Sequence, residues 1–250
     1  MIRQEARLLL TAVQFLTRLP VPGWVGHGKG QLDRAMRYLP LVGIGVGLVG
    51  AAVLALAGAG LPRPAAAVLS VAATMLLTGA LHEDGLADTL DGLFGGATRE
   101  DALRIMRDSR LGTFGAAGLA VALGLKAAAL SALPAAAPAL VAAHAGSRFF
   151  VVCVVCVLAR LPYARAMGKA APVAGGVGGT ELAVAGCCGV LPMLLLGSRA
   201  VPALLLAAGL AWGMARWFRR RLGGYTGDGL GAVQQVTELA ILLAALWRAA

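Results

Sequence analysis

Twelve carboxylates serve the 250 residues of this chain, and four of them, Glu83, Asp84, Asp88 and Asp91, crowd into the string HEDGLADTLDG. On a helix Asp84, Asp88 and Asp91 stand at i, i+4 and i+7, stacked on one face, with the apolar Leu86, Ala87 and Leu90 between them. Three stacked like charges repel unless a cation joins them. Oxygen-only ligands, without His or Cys at matching spacing, suit a hard ion such as Mg²⁺, which keeps several waters and bridges carboxylates to substrate phosphates. A solvated acidic helix end is the plainer alternative, but carboxylates at membrane depth are costly and mark function.

A second acidic segment, GGYTGDGLGAVQQVTE, carries Asp228 and Glu238. Its glycines can offer backbone N–H groups to a phosphate, and a helix starting near Gly231 would add a favourable dipole; a plain surface turn fits the string equally well. Glu238 is expected to point into a bundle. Between the two segments lies ATREDALRIMRDSRLGTFG, where Thr98 and Asp101 form an N-cap pair for a short helix that Asp108 and Arg110 close. Arg104 and Arg107 suit a lipid-facing surface. Lys126 and Arg148 fall inside apolar runs, where a cation should face a cavity or a carboxylate unless it snorkels. His82 and His144 are expected to make helix–helix hydrogen bonds.

The elements that must position these groups are membrane helices. Hydrophobic residues make up 59% of the chain, 35 residues are Gly, and only 14% are charged, against about 25% charged in an ordinary soluble domain. A soluble enzyme, a disulfide scaffold and a disordered tail are excluded. A span needs about 20 mostly apolar residues, and that template predicts seven, at 41–59, 64–81, 114–133, 135–159, 180–197, 200–217 and 232–248. The segment Glu5 to Leu19 is amphipathic and is expected to lie in the interface, with an eighth span as the alternative. The fold class is therefore all-α, a polytopic membrane bundle forming one integral catalytic domain over 1–250. Cys153, Cys156, Cys187 and Cys188 sit in apolar runs and are expected to be small core residues. No removable signal peptide is expected.

Basic residues set the expected orientation. With these spans Lys29, Arg34, Arg37, Arg99, Arg104, Arg107, Arg110, Arg160, Arg165, Lys169, Arg219, Arg220 and Arg221 collect on one side, leaving Arg63, Arg199 and Arg248 on the other. Positive-inside asymmetry puts the loops 20–38, 82–113, 160–179 and 218–231 in the cytoplasm. The net charge of +10 is thereby assigned to topology rather than to nucleic acid. Four spans separate the two acidic segments, so both face the cytoplasm and can share one pocket. A carboxylate and metal site rimmed by Arg and Lys suits transfer of a phosphorylated group from a nucleotide-activated donor.

The strings FLTRLPVP at Phe15 to Pro22, RYLPLVGIGVG at Arg37 to Gly47, LHEDGLADTLDGLFGG at Leu81 to Gly96, LRIMRDSRLGTFG at Leu103 to Gly115 and GGYTGDGLGAVQQVTE at Gly223 to Glu238 resemble the cobalamin synthase family, the adenosylcobinamide-GDP ribazoletransferases. The resemblance runs in order over nearly the whole chain. It implies an integral enzyme of the bacterial cytoplasmic (inner) membrane that uses Mg²⁺ and joins adenosylcobinamide-GDP to α-ribazole or its 5′-phosphate, releasing GMP. It makes Asp84, Asp88 and Asp91 the metal-binding core with Glu83 beside them, Asp108 and Asp228 supporting carboxylates, and Lys126, Arg110 and Arg148 phosphate partners. Glu238 matches the acidic residue that ends the second motif, whereas Gln235 stands where a carboxylate is common in the family. Asp91 or Asp228 would accept the proton of the attacking hydroxyl. A homo-oligomer or a complex with other cobalamin-assembly enzymes is compatible with this picture. The rival readings are a CDP-alcohol phosphotransferase of phospholipid synthesis, whose aspartate signature is similar in kind, and a transporter, which would usually carry an inverted repeat that is not evident here.

Overall fold

A computed structural model describes residues 2–28, 30–158 and 177–247. Lys29, Arg160, Arg165, Lys169 and Arg248, used above for orientation, lie outside the described residues. Among those described there is no β-strand. The helices are α1 (Ile2–Leu16), α2 (Gln31–Ala35), α3 (Leu39–Gly58), α4 (Arg63–Thr78), α5 (Leu81–Gly95), α6 (Arg99–Ile105), α7 (Thr113–Ala132), α8 (Ala136–Leu158), α9 (Gly179–Val190), α10 (Ala200–Leu222) and α11 (Gly227–Leu246), with a 3-10 stretch over Leu191–Arg199 joining α9 to α10.

Five stretches among these are long and apolar enough to cross a membrane, and α4 with α5 makes a sixth only as a pair bent by 91°. The chain is a multi-pass membrane protein. The seven spans expected from sequence differ in two places: 64–81 passes only together with the bent α5, and 180–197 and 200–217 fall in one run. Gly179–Leu222 forms a single helical run of 44 residues, which at 1.5 Å per residue is about 66 Å, roughly twice a bilayer core. Gly197 (φ 60°, ψ −131°) breaks that run, and the candidate spans among the described residues number five, or six with the bent pair.

Small residues bring the helices together, as lipid offers no hydrophobic expulsion to do it. Gly43 and Gly47 of α3 lie against the backbone of α8. A Cβ on Gly47 would fall 2.8 Å from the Leu140 carbonyl oxygen, and one on Gly43 would collide with the His144 carbonyl. Ser70 of α4 donates to the Gly50 carbonyl of α3 at 2.8 Å, closing the third side of that group. The amphipathic α1 buries Leu8, Ala12 and Leu16 and is fixed by Arg7 Nε to the Val25 carbonyl at 2.7 Å. The Arg37 guanidinium ties it further, lying 3.3 Å from Glu5 of α1 and 2.5 Å from Glu181 of α9. The cysteines are free, with Cys153, Cys156 and Cys188 half-buried and Cys187 exposed. They are therefore partly covered or exposed rather than the core residues expected.

Candidate active site

The acidic helix exists as a discrete element because the chain turns sharply in front of it. Gly79 (φ +66°) ends α4 in the left-handed conformation, and Ala80 follows it there at φ 56°. A left-handed alanine is uncommon and costs about 1–2 kcal/mol, so the 91° turn between α4 and α5 is enforced by its surroundings. At its other end α5 is capped by Arg221 of α10, whose Nη2 donates to the carbonyls of Leu93 (3.2 Å) and Gly96 (2.7 Å). Arg99 returns the arrangement by donating to the Leu222 carbonyl at the end of α10.

The second acidic segment is helical earlier than its glycines suggest. The last helix starts at Gly227 rather than near Gly231, because Thr226 caps it by accepting the Gly229 N–H at 3.0 Å. The string GDGLG is therefore the first turn of α11, and its glycines serve contact rather than a loop. A Cβ on Gly85 would lie 2.7 Å from the Asp228 carbonyl oxygen and 3.2 Å from Gly231 Cα, and one on Gly231 would lie 3.3 Å from Gly85 Cα. Helices α5 and α11 cross backbone to backbone at this glycine pair. The first turn of α11, with Asp228, thus lies directly over the stretch between Asp84 and Asp88.

The carboxylates of α5 do not form the single stack expected from their spacing. Asp84 is exposed, Asp88 half-buried and Asp91 buried. Asp91 accepts the N–H groups of Gly112 (2.7 Å) and Gly115 (2.8 Å) and so caps the start of α7 with both oxygens. A Cβ on Gly112 or Gly115 would strike that carboxylate, which is why the RLGTFG string carries glycine at both places. Asp84 and Asp91 do share a helix face, two turns apart, but α7 covers only the later turn. Glu83 points the other way, towards α11, where Oε1 accepts from Gln235 Nε2 at 3.1 Å and Oε2 is buried without a partner. Among the described residues no group of three or more His, Cys, Asp and Glu side chains is placed to hold a metal ion. Of the four expected ligands, Glu83 faces α11 and Asp91 caps α7, which leaves Asp84 and Asp88 with the more open carboxylates. Asp84 and Asp88, one turn apart on α5, fit a hydrated Mg²⁺, which needs one or two carboxylates and completes its shell with water and substrate phosphate. They do not suit an all-protein cage.

The cations divide between the rim and the interior. Arg110 is exposed and pairs with Asp108 at 2.6 Å, which holds the Asp108 carboxyl down to a pKa of about 2. Both stand just ahead of α7, close in sequence to the Gly112 contact with Asp91. Thr98 caps α6 as expected, accepting the Asp101 N–H at 3.1 Å, and Arg104 pairs with Asp101 at the surface. Lys126 and Arg148 lie elsewhere. Lys126 is 13 residues into α7, about 20 Å from its start, and its Nζ sits 2.6 Å from Glu238 Oε1, with both side chains buried. His144 Nδ1 lies 3.1 Å from Glu238 Oε2, and Arg148 Nη1 donates to the His144 carbonyl at 2.9 Å. Gln234 donates to Glu238 and accepts from Gln235 at 2.8 Å, and Gln235 reaches Glu83. A polar chain thus runs from the acidic helix into the bundle and ends on the Glu238 hub. Lys126 and Arg148 are buried in the bundle around that hub, whereas Arg110 is exposed. His144 makes the helix–helix contact expected of it, on Glu238, whereas Gln234 had no assigned role in the sequence, although two adjacent amides in an apolar run are the signal that marks it.

The model of one family, described as cobalamin-5-phosphate synthase, matches residues 8–246. The chain belongs to that family. An adenosylcobinamide-GDP ribazoletransferase from Ralstonia nicotianae is 49% identical over 96% of this chain and 95% of its own length. A protein of the same name from Leptothrix cholodnii is 49% identical over 96% and 94%, and one from Shewanella putrefaciens is 42% identical over 97% and 95%. No solved structure matches the chain. Membership of the cobalamin-5-phosphate synthases gives the glycine crossing a chemical setting, since a transferase acting on phosphate esters needs carboxylates and cations at one end of the bundle.

Proposed function

We propose that this chain joins adenosylcobinamide-GDP to α-ribazole or α-ribazole 5′-phosphate, forming adenosylcobalamin or its 5′-phosphate and releasing GMP, at a site facing the cytoplasm in a bacterial cytoplasmic membrane. The observation that carries this reading is the Gly85–Gly231 crossing, which brings the backbone of Asp228 against the helix of Asp84 and Asp88. Family membership and the relatives' names support it. In this reading the ribose hydroxyl of α-ribazole attacks the phosphorus attached to cobinamide. The new P–O bond forms as the P–O bond to GMP breaks, and the hydroxyl proton passes to a carboxylate. In this reading the proton goes to Asp228, while Asp91 caps α7 with both oxygens.

Asp84 and Asp88 would hold Mg²⁺, which supplies charge neutralisation on the diphosphate and the leaving GMP. Arg110, at the exposed rim, binds a phosphate oxygen, a role in which the guanidinium fork gives direction as well as charge. The lipid bilayer seats the apolar bundle and leaves the acidic end at the aqueous face.

The test is an assay of the purified protein in detergent or proteoliposomes with adenosylcobinamide-GDP and α-ribazole 5′-phosphate, with and without Mg²⁺. Mg²⁺-dependent appearance of adenosylcobalamin 5′-phosphate and GMP in equal amounts is expected. No turnover of that pair, or consumption of a CDP-alcohol in its place, overturns the proposal.

A further inference from the structure

Arg18 belongs to the FLTRLPVP string and has no part in the chemistry described so far. Its backbone N–H donates to the Leu77 carbonyl at 2.8 Å. That carbonyl is one of the last of α4, which lack partners within their own helix. Two others are met locally, since Gly79 N–H donates to Leu76 and Ala80 N–H to Met75. Arg18 therefore completes the end of α4 from a segment more than fifty residues away in sequence. Its side chain lies flat on the bend, where Nε, Cγ and Cδ occupy the space that a Cβ on Gly79 would need. The positive charge also stands at the negative end of the α4 dipole, where a cation is favoured.

The turn beneath it places two successive residues at positive φ. Ala80 is the one non-glycine residue with positive φ among those described, and it leads directly into the helix that carries Glu83, Asp84, Asp88 and Asp91. Helix α5 packs on α11 at Gly85 and His82, with the Glu83–Gln235 hydrogen bond beside them, so its direction depends on how the bend before it is held. Its far end is held by Arg221 and by the Asp91 cap of α7. The near end has no side-chain cap, and Arg18 is what lies across it.

We propose that Arg18 is a positioning residue for the transfer reaction, strapping the α4–α5 bend so that the carboxylates of α5 meet the first turn of α11. The proposal rests on the reading of α5 as the carboxylate element of the transferase. Arg18 touches the hinge rather than the substrate, so its removal misaligns the carboxylates without removing a binding contact. A misplacement of about 1 Å at a reacting centre costs roughly a hundredfold in rate.

The experiment combines kinetics with a distance measurement. Spin labels at Leu69→Cys and Gly95→Cys, in a variant lacking the native cysteines, report the bend across α4 and α5; helix rise at a right angle puts the two backbones about 26 Å apart. Arg18→Ala is expected to lower kcat about tenfold to a hundredfold, to leave KM for both substrates within about twofold, and to shift or broaden the distance distribution, with Arg18→Lys recovering part of each change. An unchanged distance distribution overturns the proposal. So does a raised KM for the GDP-linked substrate at unchanged kcat, which would make Arg18 a direct anion contact. If the wild type turns over neither substrate, the functional reading fails, and the distance distribution still decides the strap.

Discussion

Glu238 on α11 holds two partners at once, with Lys126 Nζ 2.6 Å from Oε1 and His144 Nδ1 3.1 Å from Oε2, so three helices of the bundle meet on one buried carboxylate. Removing one member of such a group leaves an unpaired charge away from water, at a cost of about 3–5 kcal/mol. Lys126→Met and Glu238→Gln are each expected to lower the detergent melting temperature sharply. The double variant should lose much less than the two single losses combined, as in a double-mutant cycle. Additive losses would show that the two side chains do not share an interaction.

The glycine crossing makes a steric prediction. Gly85→Ala puts a methyl group 2.7 Å from the Asp228 carbonyl oxygen, a contact that backbone cannot relieve without separating α5 from α11. Activity should fall at least about a hundredfold while the protein still inserts in the membrane and elutes as a single species. Near-normal turnover in Gly85→Ala would show that Asp228 need not lie over Asp84 and Asp88.

Asp84 and Asp91 should separate activity from stability. Asp84 is exposed, so Asp84→Asn is expected to abolish Mg²⁺-dependent turnover with no change in melting temperature. Asp91→Ala removes the cap of α7, a loss of about 0.5–2 kcal/mol, and should lower the melting temperature measurably, whereas Asp91→Asn keeps an acceptor and should lower it less. Equal melting temperatures for Asp91→Ala and wild type would refute the capping role.

The Asp108–Arg110 pair predicts a flat pH response. The Asp108 carboxyl is held at about 2 by Arg110, below its unfolded value of about 3.9. The contribution of the pair is therefore complete above the unfolded value and is lost only as pH falls towards 2. Asp108→Asn should leave the shape of the pH–rate profile between pH 5 and 9 unchanged. A limb of that profile that vanishes in Asp108→Asn would mean that this carboxyl titrates in the working range.

Sequence alone determined the class of the protein. Helices of the required length are written in uninterrupted apolar runs, because no water in a bilayer can satisfy an exposed backbone. Glu83, Asp84, Asp88 and Asp91 were legible as a site because carboxylates are scarce and costly in such a chain, and the pairing of Thr98 with Asp101 was legible because N-caps are local. Tertiary structure decided what spacing cannot express. The face shared by Asp84 and Asp91 is covered by α7 at one turn and open at the other, so one aspartate became a helix cap while the other stayed exposed at the rim. Lys126 and Arg148 were legible as cations that needed a partner, yet only the packing of α7, α8 and α11 showed that Lys126 meets Glu238 and that Arg148 donates to the His144 carbonyl. The glycines of GDGLG read as a turn along the chain, but they form a helix surface stripped of side chains, and that purpose exists only once α5 lies against it at Gly85.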